Sequence, residues 1–92
     1  MDIYAQLAEK IIKEQETIIG PVALEQARKV PGLTVNPQND EIALEGDKKD
    51  ILEQLVKQYE KLFGMTSIEV CKDAVKSLIS QVPQNTVPQL LL

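Results

Sequence analysis

Two segments of this chain, residues 7–30 and 51–74, align with each other at an offset of 44 positions. Each segment is typical of an amphipathic helix, a glycine and a second amphipathic helix, because its apolar residues recur at helical spacing. The identical pairs are Glu9/Glu53, Lys13/Lys57, Glu16/Glu60, Gly20/Gly64 and Glu25/Glu69. Helical burial accounts for the apolar matches but not for the surface identities, so internal duplication and convergent helical hairpins both stay open. Either origin predicts a doubled helix–glycine–helix.

Local signals place four helices, at residues 3–19, 21–29, 47–64 and 67–81. Gly20 interrupts the first helical pattern, and the proline that follows it suits the first position of a new helix. Asp47 is the expected N-cap of the third helix, and Gly64 is its expected left-handed C-cap. The sequence Thr66–Glu69 matches a capping box, which predicts the start of the fourth helix.

The apolar stripes of the first and third helices are predicted to lie against the core as far as the two glycines. They therefore include Ile18 and Ile19 before Gly20, and Leu62 and Phe63 before Gly64.

Between the two helical pairs, Leu33–Val35 and Glu41–Glu45 are typical of short strands joined by turn-forming residues. We expect a β-hairpin whose core-facing side chains are Leu33, Val35, Ile42 and Leu44. The predicted fold is α+β: two helices, a β-hairpin and two helices, with a pseudo-duplicated helix–glycine–helix unit. Residues 1–82 are predicted to form the single domain, followed by a flexible C-terminal tail, 83–92.

The composition argues against an enzyme. The 92 residues include no histidine, one cysteine and three aromatic residues, and no glycine-rich phosphate loop is present. Cys71 lies on the apolar stripe of the fourth helix, where a buried structural cysteine is expected. The acidic segment Asn39–Glu41 lacks the ligand spacing of a calcium loop. We therefore predict no catalytic, cofactor-binding or metal-binding residues and no cofactor.

The expected activity is that of a non-enzymatic interaction or regulatory module that self-associates, as a dimer, or binds a protein partner. The candidate contact residues lie in the tail and on the hairpin; they are Val87, Leu90, Leu91, Leu92, Ile42 and Leu44. The leucines could insert into a groove on another copy or protein, or fold back over their own domain, and both possibilities stay open. With no signal peptide and no 18-residue apolar run, we expect a cytoplasmic protein without a membrane contact.

Two alternatives remain. A helix–turn–helix DNA-binding protein could read bases or phosphates through Gln26, Arg28 and Lys29 on the second helix. Glu25 interrupts that set and the net charge is −4, so nucleic acid is a disfavoured partner. A small-ligand-binding domain is the third possibility.

Residues Ile19–Ala23 resemble the Ile-Gly-Pro-x-Ala phrase of small helical modules that are appended to bacterial signalling proteins such as serine/threonine kinases and cyclases. The second copy, Gly64-Met65-Thr66-Ser67, lacks the proline and the alanine. The resemblance implies a regulatory role and carries no functional residue with it.

Overall fold

The computed structural model describes residues 2–39 and 41–92. Asp40, within the predicted acidic turn, lies outside the described residues. The elements are α1 (Ile3–Ile19), α2 (Val22–Ala27), β1 (Leu33–Val35), β2 (Ile42–Leu44), α3 (Lys48–Phe63) and α4 (Met65–Val75). Three 3-10 turns follow, at Ile79–Gln81, Gln84–Thr86 and Gln89–Leu91. The mixed α+β prediction is confirmed.

The two long helices begin at side-chain caps. Asp2 caps α1, because its carboxylate accepts a hydrogen bond from the Tyr4 backbone N–H at 3.0 Å. Asp47 caps α3 as predicted, accepting from the Asp50 N–H at 3.2 Å. The acidic side chain of Asp50 in the first turn of α3 also favours the positive end of the helix.

Both long helices end at a glycine with the same unusual backbone. Gly20 has φ 71° and ψ −150°, and Gly64 has φ 80° and ψ −168°; these angles belong almost exclusively to glycine. Each glycine N–H donates to the carbonyl four residues earlier, of Glu16 at 2.9 Å and of Glu60 at 2.8 Å. The prediction of a left-handed C-cap at Gly64 is therefore wrong in ψ, although its positive φ was expected.

The predicted capping box is also wrong, because Thr66 lies inside α4. A single residue, Gly64, turns the chain, and its carbonyl already accepts the Ser67 N–H at 3.1 Å. The helix ends at Val75 instead of residue 81, since hydrogen bonds three residues apart tighten the chain beyond it. Similarly, α2 ends at Ala27 and the chain continues through such turns to Val30.

The hairpin forms as predicted, with antiparallel pairs Leu33–Leu44, Thr34–Ala43 and Val35–Ile42. Leu33 and Ile42 are buried, whereas Val35 and Leu44 are half-buried and pack against the core. Strand β2 lies against α1. The sheet has two strands among the described residues.

The core joins the two helical pairs across the molecule. Helix α4 packs against α1 as well as α3, and α2 packs against α3 as well as α1. The buried side chains occupy corresponding positions in both pairs: Leu7 and Ile51, Ala8 and Leu52, Ile11 and Leu55, Ile12 and Val56, Ala23 and Ser67, Ala27 and Cys71. Neither pair alone could cover its apolar face.

The last ten residues pack on the domain. Val87 and Leu91 are buried members of the core, and the Gln89–Leu91 turn contacts α4. The prediction of a flexible tail separate from a domain ending at residue 82 is corrected accordingly. The physical reason is that α4 stops at Val75, which leaves apolar surface that the returning segment covers.

Candidate functional site

Exposed apolar side chains are concentrated beside the two glycines. Six large hydrophobic side chains of the described residues are exposed, and five of them lie within two positions of Gly20 or Gly64. We call this set the hinge face; its members are Ile18, Val22, Leu62, Phe63 and Met65. Met65 and Ile18 are the most exposed, at 76% and 62%. The sixth residue, Leu92, is far from either glycine in sequence.

The two glycine segments meet in space. One open pocket of about 220 Å³ is lined by Ile18 and Ile19 from the end of α1, by Phe63 from the end of α3 and by Val70 from α4. The Tyr59 hydroxyl also donates to the Ala23 carbonyl, which brings the last part of α3 to the start of α2. Ile18 and Phe63 of the hinge face therefore line the same pocket, although they lie in different helical pairs.

Two buried side chains link the two helical pairs through hydrogen bonds to backbone carbonyls. The Gln15 amide donates to the Ser67 carbonyl at 3.2 Å, and the Tyr59 hydroxyl donates to the Ala23 carbonyl at 2.7 Å. Gln15 and Tyr59 are 44 positions apart, as are Ala23 and Ser67. Each bond runs from the first helix of one pair to the second helix of the other. The solvent-exposed ion pairs Glu9–Lys13 and Glu53–Lys57 repeat at the same offset.

The charged residues that lie near the two glycines in sequence are mostly acidic. Within five positions of the two glycines the charged residues are Glu16, Glu25, Glu60, Lys61 and Glu69, a net charge of −3 from four acids and one base. Glu16 and Glu60 occupy the last turns of α1 and α3, where the helix carries partial negative charge. Their carboxylates therefore oppose the local helix electrostatics.

Cys71 and Tyr59 lie beneath this surface and are fully buried. Desolvation raises the pKa of the Cys71 thiol to about 11, although a hydrogen bond from Gln15 partly opposes the shift. Burial also raises the pKa of Tyr59, with the neighbouring Cys71 and Glu16 adding to the shift. The buried position expected for Cys71 is confirmed.

The predicted contact residues fall into three groups. Val87, Leu91 and Ile42 are buried in the core, and their selection as contact residues is therefore corrected. Leu44 and Leu90 are half-buried against the same core. Leu92 is exposed at 46%. The leucines thus fold back over their own domain, which is one of the two possibilities the sequence left open.

The hinge face was missed at the sequence level. Ile18, Leu62 and Phe63 were assigned to the buried stripes, but they are exposed because the glycines turn the chain before another element can cover the last helical turn. One sequence signal could have found them. Each glycine is flanked on both sides by apolar residues, more than a single core-facing stripe can bury.

A second cleft, of about 440 Å³, lies between the start of α3 and the Gln84–Thr86 turn, and is lined by Tyr4, Lys48, Asn85 and others. Lys48 forms an ion pair with Asp2 and lies 5.6 Å from the Tyr4 ring centroid. Lys48, one of the two lysines that line this cleft, therefore already has partners.

The residues of the DNA-binding alternative do not form a helical reading face. Helix α2 has six residues, and Arg28 and Lys29 lie beyond its last residue, Ala27. The Gln26 side-chain oxygen accepts a hydrogen bond from Gln58 at 2.6 Å. These side chains are thus divided between an internal contact and the exposed turn after α2.

Comparison with protein-family models, curated proteins and solved structures finds no match to the chain. No group of three or more metal-ligating side chains occurs within residues 2–39 and 41–92. In the same described ranges, no helix combines the length and apolarity that crossing a bilayer requires.

Proposed function

We propose that the chain is a non-enzymatic protein-interaction module that binds its partner through the hinge face. The observation that carries the proposal is the concentration of exposed apolar side chains beside Gly20 and Gly64. Contiguous apolar patches on small proteins mark interaction sites more often than chance exposure does. The Gln15 and Ser67 residues, joined by a hydrogen bond, line the same pocket as Ile18 and Phe63.

The proposal places the module in the cytoplasm and gives it a regulatory role. The resemblance of Ile19–Ala23 to accessory modules of signalling proteins supports the regulatory role. We also propose that the two helical pairs are internal duplicates. The paired hydrogen bonds of Gln15 and Tyr59, related by the same 44-position offset as the sequence identities, support that origin.

The hinge face has two possible kinds of occupant, a second copy of the chain and a different protein. Self-association is supported by the apolar centre, because a small domain gains burial from a partner copy. Either occupant would cover Ile18 and Met65, the most exposed side chains.

The proposal is tested by affinity capture with full-length baits, combined with sedimentation of the purified protein. The variant bait carries Ile18→Ser and Met65→Ser, which remove exposed side chains and should leave thermal unfolding unchanged. The matched control is Leu92→Ser, which removes an exposed leucine outside the hinge face. We expect wild type and control to retain a partner or a dimer that the double variant loses. Equal behaviour of all three would contradict the proposal.

A further inference from the structure

We propose that the pocket lined by the end of α1, the end of α3 and the start of α4 binds a phenol group, supplied as a tyrosine side chain of another protein. This inference rests on the proposed function and specifies the anchor that the partner inserts. Three observations carry it: two buried polar atoms without a partner at the pocket, the volume and apolar walls of the pocket, and a phenol that the other half of the molecule holds at the corresponding position.

The polar atoms of the pocket come from two buried side chains. Gln15 is 2% exposed and Ser67 is 4% exposed, and both line the pocket. The Gln15 amide nitrogen donates to the Ser67 carbonyl at 3.2 Å and contacts the Cys71 sulfur at 3.4 Å. Because a carbonyl only accepts, these contacts assign the other end of the amide as its oxygen. Within residues 2–39 and 41–92, neither the Gln15 Oε1 nor the Ser67 Oγ has a hydrogen-bond partner.

These two atoms are accessible to a bound group. No side-chain oxygen or nitrogen in the described part of the chain is both fully enclosed and unbonded, so each of the two atoms reaches solvent. The pocket is the opening that both side chains line. The amide oxygen of Gln15 only accepts hydrogen bonds, whereas the hydroxyl of Ser67 donates and accepts. A phenol matches this pair, because its O–H can donate to the amide oxygen while its oxygen accepts from the serine.

Other side-chain chemistries match the pocket less well. A carboxylate has no proton to donate to the Gln15 Oε1. A lysine or arginine would lose strong hydration against walls of isoleucine, phenylalanine and valine side chains. Phenylalanine would cover those walls but leave both polar atoms buried without a partner, which is costly. The tryptophan N–H could donate to the amide oxygen but would accept nothing from the Ser67 hydroxyl.

The pocket has room for one aromatic ring. Its volume is about 220 Å³. An apolar protein cavity of about 150 Å³ accepts benzene, so the additional space suits a ring that carries a hydroxyl group. The volume also lies below the roughly 300–1,000 Å³ of drug-sized ligand sites, which favours a single anchor side chain. Because the pocket is open, the backbone that carries the ring can remain outside it.

The other half of the molecule already holds a phenol at the corresponding position. Tyr59 lies 44 positions after Gln15, and Ala23 lies 44 positions before Ser67. The Tyr59 hydroxyl donates to the Ala23 carbonyl at 2.7 Å, just as the Gln15 amide donates to the Ser67 carbonyl. The Tyr59 ring is fully buried, whereas Gln15 has no ring and an open pocket lies beside it. A tyrosine from outside would supply the aromatic packing that this half lacks.

The tyrosine comes from another protein and not from a second copy of the chain. The sequence contains two tyrosines. Tyr59 is fully buried, and Tyr4 packs against the core with its ring centroid 5.6 Å from the Lys48 amine. Neither ring is free to enter the pocket of another copy, so a second copy has no phenol to offer.

The test compares p-cresol, which is the side chain of tyrosine, with toluene, which lacks only the hydroxyl group. Both are titrated into the isotope-labelled full-length chain and followed by NMR. A purely apolar pocket would prefer toluene, because the hydroxyl group loses hydration on entering it. We expect the reverse, with p-cresol binding about two- to tenfold more tightly than toluene. It should shift the signals of the Gln15 side-chain amide and of the Ser67 and Val70 backbone amides.

A third probe, N-acetyltyrosinamide, distinguishes a partner's tyrosine from a free phenolic compound. It carries the same ring on a backbone with an amide at each end. We expect it to bind at least as tightly as p-cresol and to shift the same signals, because the pocket is open. Binding of p-cresol without binding of N-acetyltyrosinamide would assign the pocket to a free phenolic compound and overturn the inference.

A variant of the chain identifies the source of the preference for the phenol. Ser67→Ala removes a hydroxyl group without a partner in the described residues, so thermal unfolding should be unchanged. Its affinity for p-cresol should fall about two- to tenfold, while its affinity for toluene stays the same. The matched control is Ser80→Ala, the same substitution at an exposed serine that does not line the pocket, and it should change neither affinity.

Three further results would overturn the inference: toluene binding as tightly as p-cresol, signal changes away from the pocket, or wild-type p-cresol affinity in the Ser67→Ala variant. If the probes fail but the Ile18→Ser and Met65→Ser double variant still loses a captured partner, the inference is wrong and the proposed function stands. If the probes bind but capture is insensitive to the double variant, the proposed function is wrong, and with it the assignment of the tyrosine to a partner.

Discussion

At the residue scale, Gly20 and Gly64 set the direction in which each helical pair turns. A Cβ at either position would meet no atom within 4 Å, so any loss on substitution comes from the backbone angles and not from a clash. We expect Gly64→Ala to lower the free energy of unfolding by about 1–3 kcal/mol, and Gly20→Ala to do the same. Urea denaturation measures both.

Asparagine at the same positions distinguishes this backbone from a left-handed C-cap. Asparagine tolerates the left-handed region but gains little where ψ is near −168°, as at Gly64. We expect Gly64→Asn to be as destabilising as Gly64→Ala. A clearly milder effect of asparagine would contradict the angles described for this residue.

Also at the residue scale, burial of Cys71 predicts a loss of stability in alkali. The folded thiol has a pKa of about 11 against an ordinary value of 9.0, so above pH 9 the unfolded chain releases a proton that the folded chain retains. Stability attributable to this group is full below pH 9 and falls as the pH rises towards 11. Between pH 8 and 10 the loss is on the order of 1 kcal/mol.

Urea titrations of the wild type and of Cys71→Ala at several pH values measure this effect. The variant is less stable overall because it leaves a cavity, but its stability should fall less steeply between pH 8 and 10. The burial of Tyr59 adds a similar decline above pH 10 in both proteins. If the free energy of unfolding falls equally steeply with pH in the two proteins, the Cys71 thiol is not shielded from water.

At the element scale, the Gln89–Leu91 turn acts as part of the core. Leu91 is 3% exposed and its neighbour Leu92 is 46% exposed, which provides a matched pair of adjacent leucines. We expect Leu91→Ala to lower the free energy of unfolding by about 2 kcal/mol, the low end of the range for buried leucines. Leu92→Ala should change it by less than about 0.5 kcal/mol.

Chemical denaturation of the two alanine variants separates a packed segment from a free one. Comparable small effects of both substitutions would restore the flexible tail predicted from sequence. A large effect of Leu91→Ala alone would show that the segment packs on the core. Removal of the residues from 84 onward should then expose part of α4.

At the scale of the whole molecule, the two helical pairs share one core. The pairs contact each other through α1 with α4 and α2 with α3, so each leaves its apolar face uncovered when alone. We expect chains comprising residues 1–38 and 39–92 to be largely unfolded separately and to recover helical structure when mixed in equal amounts. Far-UV circular dichroism of the separate and mixed fragments measures this.

The fragment experiment has a control in the same chain. Leu55→Ala in the second fragment removes a fully buried contact and should weaken the association, whereas Gln54→Ala at the exposed neighbouring position should not. Stable helical structure in either fragment alone would contradict a shared core.

Much of the fold follows from local sequence. The bounds of α1, the Asp47 cap of α3 and the two strands agree with their predicted positions, because caps, turn residues and apolar spacing are encoded within a few neighbouring residues. The end of α4 could not be predicted in this way. Its apolar spacing continues past Val75, but the chain turns there to bring Val87 and Leu91 onto the core.

The candidate site, like the fold, could be predicted only in part from the sequence. The sequence showed the paired glycines, the repeated acids and the apolar residues beside them, and it placed Cys71 correctly in the interior. It did not distinguish covered from uncovered apolar residues. The sequence pattern assigned Phe63 to the core and Leu91 to a contact surface, and the structure shows the reverse. The exposure of each side chain depends on which distant segment lies over it.

The sequence by itself therefore determined the doubled helix–glycine–helix pattern, the hairpin between the pairs and the chemical character of the chain, because each depends on local spacing and residue type. Only the tertiary structure decided that residues 83–92 complete the core and that the surface beside Gly20 and Gly64 stays uncovered. The physical reason is that burial is a property of contacts between distant segments. Leu91 in the tail and Phe63 before Gly64 are both apolar and both favour burial. The path of the backbone decides which of them is covered by another segment.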